Sequence, residues 1–154
     1  MAERGPRSQL TMPLILLVAW LAVASAESFH KFLNQHVDYP MTEVPDAQRY
    51  CSLMMKRRNL ATTNHCKHLN TFVHVDVSQI QAVCGQGGEP TTGDLRESYA
   101  SFPLTLCKLQ RGSWAPDCKY EGTTNTERII IACEGGNPVH LQTEVPNYGG
   151  PDDV

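Results

Sequence analysis

Apolar residues recur at helical spacing in the first half of the chain. Two stripes at i, i+3, i+4 and i+7 predict short helices, formed by Phe29, Phe32, Leu33 and His36, and by Tyr50, Leu53, Met54 and Arg57. The first helix should end before Pro40 and the second near Asn59. Asp76 followed by Gln79 resembles a capping box, which predicts a third short helix through Cys84.

The second half of the chain changes to strand patterns after Gly85. A loop is expected at Gly87–Gly93, followed by strands over 98–109, 117–124 and 127–134. Glycine turns are predicted at 111–113 and at Gly135-Gly136, the latter leading into a last strand at 139–141. Helices first and strands later predict an α+β domain, with three short N-terminal helices packed on a bent antiparallel sheet.

Both ends of the chain differ from this pattern. Residues 1–26 have the form of a signal peptide, with Arg4 and Arg7 before a 12-residue apolar run and a small-x-small site at Ala24-Ser25-Ala26. A signal anchor is the alternative, but a membrane span needs about 20 residues, so we expect no stable membrane insertion. A secreted, extracellular domain over 27–142 follows, and residues 143–154 are expected to form a disordered acidic tail.

All six cysteines follow the predicted leader. An even number in a secreted chain predicts three disulfides, which spacing alone can connect in 15 ways. The cysteines are Cys51, Cys66, Cys84, Cys107, Cys118 and Cys133. A zinc site built from His65, Cys66 and His68 is the alternative, which an oxidising compartment disfavours.

The charge balance restricts the classes of function. The chain has 13 basic and 16 acidic residues, and removal of residues 1–26 leaves 11 and 15, a net charge of −4. A membrane-active protein that relies on a cationic surface is therefore disfavoured. Any nucleic-acid site must be a local basic patch on an acidic body.

Three residues are candidates for acid–base chemistry. His36 lies on the apolar face of the first predicted helix, His140 lies in the last predicted strand, and Lys67 adjoins Cys66. Two histidines on opposite sides of one phosphate can act as base and acid in turn, and an ammonium can stabilise the charge that develops on phosphorus. Composition alone would not bring them together, since a single histidine on an apolar face is more often structural.

Several local motifs together carry a family resemblance. Cys66–Phe72 matches C-K-x-x-N-T-F, Phe32–His36 ends in glutamine and histidine, and the last strands contain Ile131–Glu134 and Pro138–Leu141. The chain thus resembles the pancreatic-type (ribonuclease A) family, most closely its six-cysteine angiogenin branch, because it lacks the extra cysteine pair between Cys84 and Cys107. The resemblance implies three disulfides, Cys51–Cys107, Cys66–Cys118 and Cys84–Cys133.

The resemblance also implies the activity and the roles of the site residues. The activity would be cleavage of single-stranded RNA 3′ of pyrimidines through a 2′,3′-cyclic phosphate, with no metal or cofactor. His36 would be the base, His140 the acid and Lys67 the stabiliser of the transition state. The implied substrate-binding residues are Gln35 at the phosphate, Thr71 at the upstream base, Glu134 beside the downstream base, and Asn70 and Leu141 within the same motifs.

One departure and several alternatives stay open. The family commonly has aspartate two residues after the acid histidine, and this chain has Gln142, which predicts weaker catalysis. A signalling or growth-factor-like role with vestigial catalysis, using the loop Gly85–Glu97, and a host-defence role are alternative functions. Beyond RNA, the candidate partners of the expected monomer are a ribonuclease inhibitor and a cell-surface receptor. The run Lys56-Arg57-Arg58 resembles a nuclear-entry signal, although a solvated helix face is the simpler interpretation.

Overall fold

The structure is a computed structural model that describes the backbone of residues 5–145 and the side chains of residues 19, 20 and 23–145. Its helices are α1 (Gly5–His36), α2 (Ala47–Arg57) and α3 (Val77–Val83). Its strands are β1 (Leu69–Val73), β2 (Gly88–Pro90), β3 (Leu95–Ser98), β4 (Phe102–Leu109), β5 (Tyr120–Glu134) and β6 (Asn137–Val145). The predicted α+β class is confirmed.

One long strand organises the antiparallel sheet. The first half of β5 pairs with β4, from Tyr120 opposite Leu109 to Glu127 opposite Phe102. Its second half pairs with β3 on one side and with β6 on the other. The outer strands are β1, which pairs with β4, β2, which pairs with β3, and β6, which pairs with β5. Because β5 belongs to both arms of the sheet, a side chain on β1 and a side chain on β6 can face one site.

The hydrophobic core is divided into two clusters. One packs α2 against the sheet and contains Tyr50, Met54, Met55, Phe72 and Tyr120. The other contains Phe32 of α1 with Val73, Ile80, Leu104, Ile129 and Ile131. Successive side chains of a strand point to opposite faces, so β1 contributes Phe72 to the first cluster and Val73 to the second. Residues of β1 therefore lie where the two clusters meet.

Three disulfides connect the helical part to the strands. They join Cys51 to Cys107, Cys66 to Cys118 and Cys84 to Cys133, the pairs that the resemblance implies. Cys66 is therefore not available as a zinc ligand. Each bond closes a loop of roughly fifty residues, which stabilises the fold by about 2–5 kcal/mol through the entropy of the unfolded chain.

The helix signals in the sequence were accurate at their ends. The stripe at 29–36 is the last part of α1, which ends at His36. Asp46 and Asp76 cap α2 and α3 by accepting hydrogen bonds from backbone N–H groups. Asn59 follows α2 with φ of 59°, a left-handed conformation that asparagine tolerates and that stops a helix.

The strand predictions need three corrections. The predicted strand 98–109 is shorter, since β4 begins at Phe102 and Ser98 is the last residue of β3. The Ser98 hydroxyl donates to Ala100 O and accepts from Ile129 N at the end of β3. The segments 117–124 and 127–134 are one strand, β5, since residues 125 and 126 also pair with β4. Part of the predicted loop Gly87–Gly93 is the short strand β2.

The pattern also missed β1. Four of its five residues are buried, so the strand lacks the alternation of polar and apolar residues by which half-buried strands are recognised.

The Gly135-Gly136 turn was predicted correctly, and both glycines have positive φ between β5 and β6.

The last strand is longer than expected. Thr143, Glu144 and Val145 belong to β6 and pair with residues 128–130 of β5, so the prediction of a disordered tail is wrong for these three residues. The length of β5 supplies the pairing partners that the sequence pattern does not reveal. The rest of the predicted tail, 146–154, lies outside the described residues, as does the start of the predicted signal peptide. Within the part of the chain that the structure describes, no helix is both long and apolar enough to cross a membrane.

Candidate active site

His36 is the last residue of α1 and is buried beside the ring of Phe32. Its Nδ1 lies 2.8 Å from the backbone oxygen of Thr71 in β1. A carbonyl oxygen can only accept a hydrogen bond, so Nδ1 carries the proton. In the neutral ring, Nε2 is then the nitrogen with a free lone pair and can accept a proton from a substrate.

The surroundings of His36 keep its ring neutral. Burial lowers the pKa of His36 from 6.5 to about 4, against a smaller opposing effect of the hydrogen bond to Thr71. The charges of Lys67 and His140 lower the pKa further. Both groups are therefore close enough to act on the His36 ring, so the structure brings the three candidate residues to one site. At neutral pH, His36 can serve as a base.

Lys67 is fixed by contacts of its backbone and of its side chain. Its N–H donates to Leu60 O, and its carbonyl oxygen accepts from the Tyr120 hydroxyl at 2.7 Å. Its Nζ donates to Asn70 Oδ1 at 2.9 Å. The buried Asn70 also donates through Nδ2 to the carbonyl oxygen of Gln35, on α1 next to His36. Asn70 therefore holds the ammonium of Lys67 against the end of α1.

A second lysine that sequence reasoning missed contributes to this charge. Burial lowers the pKa of Lys67, and the charge of Lys31 lowers it further. Lys31 is exposed on α1, four residues before Gln35 and so on the same face of the helix. Its helical spacing from Gln35 was a signal that could have been used. Two neighbouring ammonium groups thus give this acidic chain a local basic patch.

His140 lies exposed on β6 opposite Ala132. Its Nε2 lies 3.2 Å from Oε1 of Gln142. The amide oxygen accepts, so Nε2 carries a proton and Nδ1 is the second site at which the ring can exchange one. Gln142 thus holds one tautomer of His140 without the charge that an aspartate would supply.

The buried Thr71 connects His36 to Glu144, a residue of the predicted tail. Its carbonyl oxygen bonds His36, and its hydroxyl donates a hydrogen bond to the carboxylate of Glu144. Glu144 lies on β6, four residues after His140. No pattern in the sequence indicates this contact, because it depends on the extension of β6 along β5.

The remaining predicted site residues lie at different depths. Leu141 is half-buried and packs on the cluster that contains Phe32, and Gln35 is half-buried at the end of α1. Glu134 is exposed at the turn between β5 and β6, on a cavity of about 410 Å³ that also contacts Arg96 and Val139. Glu134 is thus on the same hairpin as His140, towards its tip.

The basic run after α2 divides into two parts. Arg58 donates to Asn34 O at 2.6 Å and to Leu33 O at 3.2 Å, and its guanidinium lies 3.7 Å from the carboxylate of Asp38. Arg58 therefore binds the carboxyl end of α1, whose last carbonyls carry partial negative charge. Lys56 and Arg57 are exposed. Because Arg58 is engaged in this way, the run is not a free cluster of three cations.

The arrangement suits proton transfer around a phosphate. It combines a neutral buried imidazole, an exposed imidazole with one nitrogen engaged, and a cationic patch. Within residues 5–145, no group of three or more histidine, cysteine, aspartate or glutamate side chains is arranged to hold a metal ion. The fold and the site together define a small disulfide-bonded α+β protein with a site suited to acid–base chemistry at a phosphodiester.

Comparison with known proteins assigns the family. The family model for pancreatic ribonuclease matches residues 27–142, and the chain belongs to this family. A ribonuclease of Chelonia mydas is 55% identical over 117 residues, which cover 76% of this chain and 98% of that protein. Angiogenin of Mus musculus is 45% identical over 113 residues, covering 73% of this chain and 75% of its own length.

A solved structure agrees with the sequence comparison. The crystal structure of green turtle egg white ribonuclease is similar with a TM-score of 0.73 and 52% sequence identity, covering 77% of this chain and 98% of that one. The chain is an endoribonuclease of the pancreatic type with angiogenin among its relatives. The resemblance inferred from the motifs is thereby confirmed.

Proposed function

We propose that this enzyme is extracellular and cleaves single-stranded RNA on the 3′ side of pyrimidines. The observation that carries the mechanism is the neutral His36 ring, with its free Nε2 near the charges of Lys67 and His140. A base and an acid on the two sides of a phosphodiester are what cleavage by an internal nucleophile requires.

The first step is transphosphorylation. His36 Nε2 takes the proton of the ribose 2′-hydroxyl, and the 2′-oxygen forms a bond to phosphorus. The bond from phosphorus to the 5′-oxygen breaks, and His140 donates a proton to that oxygen. Lys67 stabilises the negative charge that builds up on the non-bridging oxygens. The products are a 2′,3′-cyclic phosphate and a free 5′-hydroxyl.

The second step reverses the two proton transfers. His140, now neutral, takes a proton from water, whose oxygen attacks phosphorus. The bond from phosphorus to the 2′-oxygen breaks, and His36 returns its proton to that oxygen. A 3′-phosphate results, and both histidines regain their starting states. DNA lacks the nucleophile for the first step and should be inert.

Base selection is assigned to Thr71. Its backbone N–H and its hydroxyl can bind the edge of a pyrimidine, and its carbonyl bond to His36 would place that base beside the reacting ribose. Glu134 is assigned to the downstream base and Gln35 to the phosphate, as the resemblance implies.

Two features support an extracellular location. Residues 1–26 have the pattern of a signal peptide, and all six cysteines form disulfides, which persist in oxidising compartments. The mature chain would begin at Glu27 and act as a monomer.

The test replaces each of the three central residues. His36→Ala, Lys67→Ala and His140→Ala should each lower kcat/KM for a pyrimidine–purine dinucleotide by at least about 10²-fold, the usual effect of losing an acid, a base or a charge stabiliser. His65→Ala is the matched control, because His65 is exposed and outside the site. A folded His36→Ala protein with nearly normal activity would disprove the mechanism.

A further inference from the structure

In the proposed function, the hydroxyl of Thr71 binds the upstream base of the RNA. The single proton of this hydroxyl is already donated to Glu144. Thr71 is 3% exposed, and its Oγ1 donates to Oε1 of Glu144. A hydroxyl has one proton to donate and two lone pairs that accept. While the proton is directed at the carboxylate, the hydroxyl can offer a ligand only lone pairs.

The two RNA pyrimidines differ at the atom that such a hydroxyl reads. N3 of uracil carries a hydrogen and donates, whereas N3 of cytosine has a lone pair and accepts. Both bases have the same O2 acceptor for a backbone N–H. A lone pair on Thr71 Oγ1 therefore satisfies uracil. Cytosine would need the Thr71 proton that is donated to Glu144.

We infer that Glu144, through its hydrogen bond from Thr71, is a specificity-determining residue that makes the enzyme prefer uracil to cytosine at the upstream base. The inference rests on the proposed function, in which Thr71 reads that base. Glu144 acts through Thr71 and is a positioning residue, without contact with the reacting atoms.

The surroundings of Glu144 hold its carboxylate in place. Its backbone is fixed by pairing with Ile129 on β5, and its side chain is only partly exposed. Burial raises the pKa of Glu127, on the same part of β5, and the charge of the nearby Glu144 raises it further. The neighbouring Arg128 is paired with Glu97 at 3.2 Å. Binding of cytosine would break the hydrogen bond from Thr71 to the charged carboxylate. Loss of such a bond weakens binding, or slows a reaction, by about ten- to a hundredfold.

The test measures kcat/KM for the dinucleotides UpA and CpA with the full secreted protein. The wild-type enzyme should favour UpA by about tenfold or more. Glu144→Ala frees the Thr71 proton and should bring the ratio close to one, mainly because cleavage of CpA rises. Glu144→Leu keeps much of the size of the side chain and removes both acceptor oxygens, so its ratio should also fall. This second variant decides the matter if the alanine variant does not fold.

Glu127→Gln is the matched control, because it removes a neighbouring negative charge that does not contact Thr71. It should keep the wild-type ratio. Three results would overturn the inference: an unchanged ratio in both Glu144 variants, an equal rise for UpA and CpA, which would show that the carboxylate only occupies the site, or a wild-type preference for CpA. An enzyme that cleaves neither dinucleotide would instead refute the proposed function itself, and the inference with it.

Discussion

His36 combines two properties that leave its ring ready to accept a proton at Nε2. Its Nδ1 is engaged by Thr71 O, so the ring is held in one tautomer, and burial keeps the ring neutral. Neither property follows from the apolar stripe that placed His36 on α1. The stripe predicted which face of the helix is buried, and only the fold shows that the buried ring meets β1 and the charges of Lys67 and His140.

The pH profile of kcat/KM should report this environment. His36 must be neutral to act as the base, and its pKa is lowered to about 4, so activity should fall on acidification only through a limb near pH 4. Lys67→Gln removes a positive charge that lowers the pKa of His36. The pKa of His36 should therefore rise in this variant, and the acid limb of its pH profile should move to higher pH. An acid limb at the ordinary histidine value of about 6.5 in the wild-type enzyme would contradict the burial effect.

At the level of elements, the sequence predicted the helices and strands whose apolar residues recur at a regular spacing. The three helices were recognisable because one face of each is apolar and a capping or stop residue marks its end. The strand β1 was not, since burial on both faces removes the alternation. The extension of β6 through Thr143–Val145 could not be predicted either, because it depends on the length of β5. As a result, motifs indicated the candidate catalytic residues, whereas the places of Glu144 and Lys31 beside them required the structure.

The contact between α2 and β5 depends on one glycine. A Cβ added to Gly122 would lie 2.2 Å from Ala47 O at the start of α2, where the backbone must move. Gly122→Ala should therefore destabilise the protein by about 1–3 kcal/mol, measured by thermal or denaturant unfolding. Gly85→Ala is the matched control, since its added Cβ would lie 3.7 Å from Ala82 O, an ordinary van der Waals contact. Equal stability of the two variants would show that α2 does not pack on β5 at this distance.

For the whole molecule, a cationic site lies on an acidic body. The predicted mature chain has a net charge of −4, and the site holds the ammonium of Lys67 near His36, with Lys31 close enough to Lys67 for its charge to lower the pKa of Lys67 after the larger effect of burial. Arg58 is engaged at the end of α1 instead. The charge available for phosphates is therefore local, so long-range attraction of RNA contributes less than in a basic protein. The two arms of the sheet, joined by β5, bring this patch and His140 to one side.

The most direct test of the account follows the products of a single cut. The substrate is an oligodeoxynucleotide with one ribouridine before an adenine, incubated with the secreted protein and analysed by mass spectrometry over time. We predict one cut after the ribouridine, with a 2′,3′-cyclic phosphate that appears first and then opens to a 3′-phosphate, while the fully deoxy control stays intact. Cleavage of the deoxy control, or products with a 3′-hydroxyl and a 5′-phosphate, would contradict a mechanism in which His36 activates the 2′-hydroxyl.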